Sequence, residues 1–134
     1  LAAPIDHAAL SSWPELAAQL ERRMVDIYAA DAAARQLILT QHGLSEVTWA
    51  DQQHDLELGR LLHGLFDRHF ILPQLPVELD IFALAIELAD RVYASSVQQY
   101  GLITPRWREE GLRVMVAYLG MYLPPWLSKR DLPL

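Results

Sequence analysis

The sequence predicts an all-α protein, a five-helix antiparallel bundle, and three observations predict it. Apolar residues recur three and four apart in five segments, the spacing that lines one face of a helix. Hydroxyl, acidic or proline residues stand where most of these segments start, and glycine or proline where they stop. No segment reads as a strand. With 134 residues, 52% of them hydrophobic and 21% charged, the chain suffices for one domain with a core of its own.

The first helix opens in a capping box, Ser12 to Glu15, with Trp13 and Pro14 in its first turn. Trp13, Leu16, Leu20, Met24 and Ile27 form its apolar stripe, and Glu15, Gln19, Arg22 and Asp26 lie opposite. It is expected to run to Tyr28. The second helix is short: Asp31 is its N-cap, Ala32 to Ala34 favour helix, Leu37, Ile38 and Leu39 are its buried residues, and Gly43 stops it. The third is long, from Ser45 as a cap to Phe70, and "LPQLP" (72–76) breaks the chain after it.

The fourth helix is expected over Val77 to Tyr100. Asp80, Glu87, Arg91 and Gln98 crowd one narrow face. Ile81, Phe82, Leu84, Ala85, Leu88, Ala89, Val92, Tyr93 and Val97 cover the rest, so this helix is central. Gly101 ends it. Thr104 and Pro105 open the fifth, a hydroxyl cap followed by a residue of fixed φ. Its charges, Arg106, Glu109, Glu110 and Arg113, keep to one face, with Glu109 and Arg113 placed to pair four apart. The tail after Pro124 is expected to be loose.

The fifth helix is apolar twice over. Leu112, Met115, Val116, Leu119 and Leu123 make one stripe; Trp107, Val114, Tyr118 and Met121 make a second on another face. One core accounts for one stripe. A second needs a second partner, and a copy of the same chain in a two-fold dimer is the simplest one. The last two long helices would then form a four-helix dimer interface, with Trp107, Val114, Met115, Tyr118, Met121 and Tyr122 in it. The alternative is a monomer that buries both stripes.

Composition excludes several classes. There is no cysteine, so disulfides and thiolate metal sites are absent. The formal charge of −6 suits no nucleic-acid partner for this chain, since phosphate binding needs a basic footprint. No run approaches the roughly 20 apolar residues that cross a membrane. "LAAPIDHAAL" lacks the basic start of a signal peptide, so the location expected is cytoplasmic. A chain beginning with Leu is expected to be a piece of something longer.

The third helix carries a polar pair on an apolar stripe. Leu58, Leu61, Leu62 and Leu65 define that face, and helical spacing extends it back to Asp51 and His54 and on towards His69. Buried polar groups cost several kcal/mol unless paired. A polar pair in an apolar wall is what a ligand cavity uses to orient a guest. Two other readings stand beside it. If the first turns of the helix leave the core, Asp51 and His54 are solvated. If the chemistry is metal binding or catalysis, Asp51, His54 and Asp55 are half of a carboxylate–imidazole site on a helical bundle. Against a metal, His54 and His69 lie roughly 22 Å apart along a helix, His63 faces elsewhere, and no second helix offers a Glu-x-x-His. No serine stands in a nucleophile elbow and no glycine loop cradles phosphate, so neither an enzyme nor a cofactor is expected. Asp90 sits at the edge of the fourth helix's apolar arc, placed either to pair with an arginine or to line a cavity. Met24, Tyr28, Phe66, Phe82 and Tyr93 lie on core-facing stripes of three helices, where packing is their default role.

"LAIELADRVYASSVQQYGLITPRWREEGLRVMVAYLGMYL" (84–123) resembles the end of a tetracycline-repressor family transcriptional regulator. The likeness lies in the "A-D" helix, the Gly turn, the "P-x-x-x-E" opening and the last helix closing in "Y-L". The capped first helix and "AADAAARQLILT" (29–40) fit the same family's effector domain. The resemblance implies an all-helical homodimer whose N-terminal helix-turn-helix domain binds operator DNA. Its C-terminal domain dimerises through the last two helices and holds a small-molecule cavity. Ligand binding would shift the DNA-reading heads apart. No helix-turn-helix and no basic recognition helix lie in this chain, so it would be the effector and dimerisation domain alone. On that footing Met24, Tyr28, Leu58, Leu62, Phe66, Phe82 and Tyr93 are expected to wall the cavity, with Asp51 and His54 as its polar end. The expected guest is a small apolar or aromatic effector with one polar end.

Overall fold

The computed structural model describes residues 4–30 and 45–131, with the side chains of 28–30 and 45–54 outside the description. These residues form a short 3-10 turn, His7–Ala9, and four α-helices: α1 (Trp13–Ala30), α2 (Ser45–His69), α3 (Ile81–Tyr100) and α4 (Pro105–Leu119). No strand occurs among the described residues. The second helix expected from the sequence, over 31–43, lies outside them. No described helix is long and apolar enough to cross a membrane.

The helix starts follow from side-chain caps, with two shifts. Ser12 Oγ accepts from Glu15 N at 3.4 Å, but the Glu15 carboxylate does not return to Ser12. It accepts instead from the backbone N–H of Ser11 at 2.9 Å and from the Ser11 hydroxyl. The capping box is displaced by one residue. α3 begins at Ile81, four residues after the predicted start. Asp80 is its N-cap rather than part of a polar face, accepting from Phe82 N at 2.9 Å and Ala83 N at 3.1 Å. Gly101 closes α3 with φ 77°, a left-handed stop that glycine adopts without strain. Ser96 then stitches the turn, donating to Leu102 O at 2.8 Å and accepting from Thr104 N at 3.1 Å. Thr104 Oγ1 caps α4 on Trp107 N at 3.3 Å, with Pro105 next, as the sequence predicts. The surface pairs of α4 run from Arg106 to Glu109 and Glu110, at 3.9 and 3.3 Å, rather than from Glu109 to Arg113.

α3 is the central helix, packed most extensively on α4 and then on α2. Its buried residues run nearly its whole length, Ile81 to Val97. Two glycines permit these contacts. At Gly59 a Cβ would fall 2.8 Å from Ala83, and at Gly111 one would fall 2.3 Å from the Tyr93 ring. Phe66 packs edge-on to Phe82 at 5.1 Å and tilted to Trp13 at 6.3 Å, so an aromatic cluster joins α1, α2 and α3.

The tail is not loose. Leu123 and Leu127 are buried with the core. Trp13 Nε1 donates to Pro124 O at 2.8 Å, satisfying a buried indole that would otherwise lose a bond. Ile71 N donates to Ser128 O at 2.8 Å and Arg130 N to His69 O at 2.9 Å, an antiparallel bridge that lays the tail on the end of α2. Leu123 and Leu127 of "YLPPWL" (122–127) anchor it, while Tyr122, Pro124, Pro125 and Trp126 stay exposed.

Candidate ligand seam and outer helix face

Leu20 and Met24 of α1 face Leu58, Leu61, Leu62 and Leu65 of α2 across an apolar seam. Met24, Leu58 and Leu62 are three of the expected cavity walls, and these residues are brought together. The seam holds only about 10 Å3, less than a water molecule's share of liquid, so a guest needs the two helices to part. α1 and α2 are more lightly packed on each other than either α2 or α4 is on α3. Phe66 and Phe82, also expected as walls, pack on each other away from the seam, and Phe82 lines a separate hollow beside His63. Tyr28, Asp51 and His54 lie outside the described side chains, so the polar end expected of the cavity is not placed.

A different polar group is buried beside α1. Glu21 is only 2% exposed. The Tyr93 hydroxyl of α3 donates to its Oε1 at 2.9 Å, and Arg108 Nε of α4 approaches the same oxygen at 3.5 Å. Arg108 also donates to Arg22 O at 3.0 Å and pairs with Asp26 at 3.4 Å. One guanidinium therefore ties α4 to two turns of α1. Burial pushes the Glu21 carboxyl above its ordinary value, against the pull of the Tyr93 hydrogen bond and of Arg108. Burial, and then the adjacent Glu21 carboxylate, hold the Tyr93 phenol well above the usual range. Asp55 and Asp90 are buried as well. Glu21 was legible in principle: Ala17, Glu21 and Val25 form a second buried stripe at fourfold spacing, next to the one through Leu20. Asp55 likewise precedes Gly59, Leu62 and Phe66 on the buried face of α2.

The outer faces of α3 and α4 carry the predicted second stripe. Trp107, Val114 and Tyr118 are half-buried, Met121 is 79% exposed and Tyr122 is exposed; on α3, Leu88 is exposed as well. Tyr118 and Tyr122 meet edge to face at 5.7 Å. Met115 is a correction. It is fully buried, on the Gly111–Met115–Leu119 stripe that faces the core, and cannot reach a partner. Its place four residues after Gly111 and four before Leu119 sets that orientation.

A hollow of about 350 Å3 lies elsewhere, where residues 75–82 pass His63, whose ring stacks on Phe82 at 4.8 Å. No group of three side chains suited to a metal ion occurs among the described residues. Comparison of the chain with family models, with curated proteins and with solved structures finds no match.

Proposed function

We propose that this chain is the small-molecule-sensing and homodimerisation domain of a tetracycline-repressor-like transcriptional regulator. The observation that carries the reading is the outer face of α3 and α4. Leu88 stays exposed on α3, and Met121 and Tyr122 just past the end of α4, while Tyr93, Met115 and Leu119 already fill the core. Apolar side chains left over from a complete core are what an isologous partner covers. The resemblance of residues 84–123 to the end of that family supports the same reading.

The sensing site is the leucine seam. An apolar effector that enters between Leu20, Met24, Leu58 and Leu62 separates α1 from α2, and it shifts the population only by its preference for the parted form. Arg108 carries the movement onward, because it holds α1 at Arg22 and Asp26 while rooted in α4. Displacement of α1 is thus felt at the dimer face. The operator-binding helix-turn-helix domain would precede Leu1.

Sedimentation and thermal melting test the reading together. The chain should be dimeric at micromolar concentration, melt higher with flat or acyl compounds, and fail to retard DNA at low salt. A monomer that no such compound stabilises, or a chain that grips DNA tightly and with strong salt dependence, removes it.

A further inference from the structure

Two histidines that sequence reasoning left unpaired meet where the chain's two ends cross. His7 sits in the 3-10 turn that Asp6 caps by accepting from Ala8 N at 3.1 Å. His69 is the last residue of α2 and is 2% exposed. Their rings lie within 20° of parallel with centroids 5.0 Å apart, and meet edge to edge with their Nδ1 atoms 2.7 Å from each other. On its other side, His7 Nε2 is 2.9 Å from Arg130 O.

These distances fix where the protons are. A carbonyl oxygen only accepts, so His7 Nε2 carries a hydrogen. Nδ1 of neutral His7 is then a lone pair, and the hydrogen between the rings belongs to His69 Nδ1. One further proton finds a place on His69 Nε2, and the Nδ1–H···Nδ1 bond survives. A second has none. It would set two N–H groups against each other at 2.7 Å, between two adjacent cations.

We propose that His7 and His69 form a proton-counting clasp, which holds the N-terminal turn and the C-terminal tail on the end of α2 and releases them when the pair takes its second proton. The tail depends on it directly. Arg130 O accepts from His7, Arg130 N donates to His69 O, and Lys129 Nζ donates to His7 O at 2.6 Å.

The surroundings oppose the second proton. Lys129 of the tail and Arg68 of α2 flank the rings as cations. The nearby carboxylates are engaged: Asp6 with Ala8 N, Glu15 with Ser11, and Asp67 with the Arg130 guanidinium at 3.0 Å. Burial first, and then His7, Arg68 and Lys129, hold His69 below the ordinary imidazole value of 6.5. The sign follows. The open chain binds two protons where the closed clasp has room for at most one, so the clasp is secure above about pH 6.5 and weakens as pH falls.

The test is histidine ¹⁵N spectroscopy combined with amide exchange. At pH 7.5 His7 should be the Nε2–H tautomer and His69 the Nδ1–H tautomer. Between pH 6.5 and 5, protection at Ile71 and Arg130 should fall about tenfold per pH unit relative to amides of α3, one proton's worth. Two variants keep the bonds without the second charge. His69→Asn presents an amide that either donates to or accepts from His7. His7→Gln offers an N–H to Arg130 O and an oxygen to His69. Protection in His69→Asn should hold to pH 5, and in His7→Gln it should fall less than in wild type. A wild-type clasp still closed with both rings protonated overturns the proposal, and so does an equal fall in either variant.

Discussion

The ring of Tyr93 fills the space beside Gly111 in which any side chain would begin, since a Cβ there would lie 2.3 Å from the ring. Glu21 of α1 joins the same two helices, accepting from the Tyr93 hydroxyl at 2.9 Å with Arg108 Nε at 3.5 Å. Gly64, on the exposed side of α2, has nothing within 4 Å of its missing Cβ.

The same substitution should therefore have opposite signs at the two sites. Gly64→Ala should stabilise by about 0.5–1 kcal/mol, the helix-propensity difference. Gly111→Ala gains that term but forces the ring to move, and the net loss should be about 1–3 kcal/mol. Urea denaturation of both variants reads the difference. A Gly111→Ala protein as stable as wild type means that α3 and α4 do not pack this closely.

Tyr93→Phe removes a hydrogen bond from the carboxylate of Glu21 and should cost about 1–3 kcal/mol. Glu21→Gln keeps an acceptor for the hydroxyl and removes the charge. The carboxyl is raised above 4.5 in the folded chain. Its contribution is therefore full below about pH 4.5 and is lost as pH rises through the folded value. Between pH 4 and 7, Glu21→Gln should lose less stability than wild type does. Parallel pH profiles would place Glu21 in solvent-like surroundings.

Local grammar was the most legible part of the chain. Thr104–Pro105, Gly101 and the core stripe through Met115 and Leu119 need only nearest-neighbour chemistry, and they stand where the sequence puts them. The start of α3 was less so, because Asp80 serves as a cap and as a polar surface residue with equal ease. Glu21, Arg108 and His69 were not legible as partners. Their bonds join residues 62 to 87 positions apart, and periodicity along one helix says nothing about what the next helix brings. The tail misled for the same reason: Pro124 and Pro125 signal a break in the helix, and not whether the chain beyond it is bound.

The seam yields a prediction on ligands. A guest that binds only the folded chain raises stability by about 2.7 kcal/mol at one hundred times its dissociation constant. Thermal melts against planar and acyl compounds should show such shifts. Leu62→Trp fills the seam and should abolish them while leaving sedimentation unchanged. Shifts that persist in Leu62→Trp put the guest elsewhere, with the hollow beside His63 the first place to look.

The outer face of α3 and α4 is tested by three glutamates placed at different depths. Met121 is 79% exposed in the single chain, so Met121→Glu leaves the fold intact and changes the assembly only if a partner covers that position. Val114 is half-buried on the same stripe. In a dimer either substitution buries an unpaired charge, at a cost of several kcal/mol per subunit, and should give folded monomer at micromolar concentration. Met115→Glu differs in kind. Its side chain lies in the core, so the chain should lose cooperative unfolding whether or not it dimerises. Sedimentation velocity with circular-dichroism melts separates these outcomes. If wild type already sediments as a monomer at ten micromolar, or if Met121→Glu remains a dimer, the partner that covers this stripe is not a second copy meeting it at Met121.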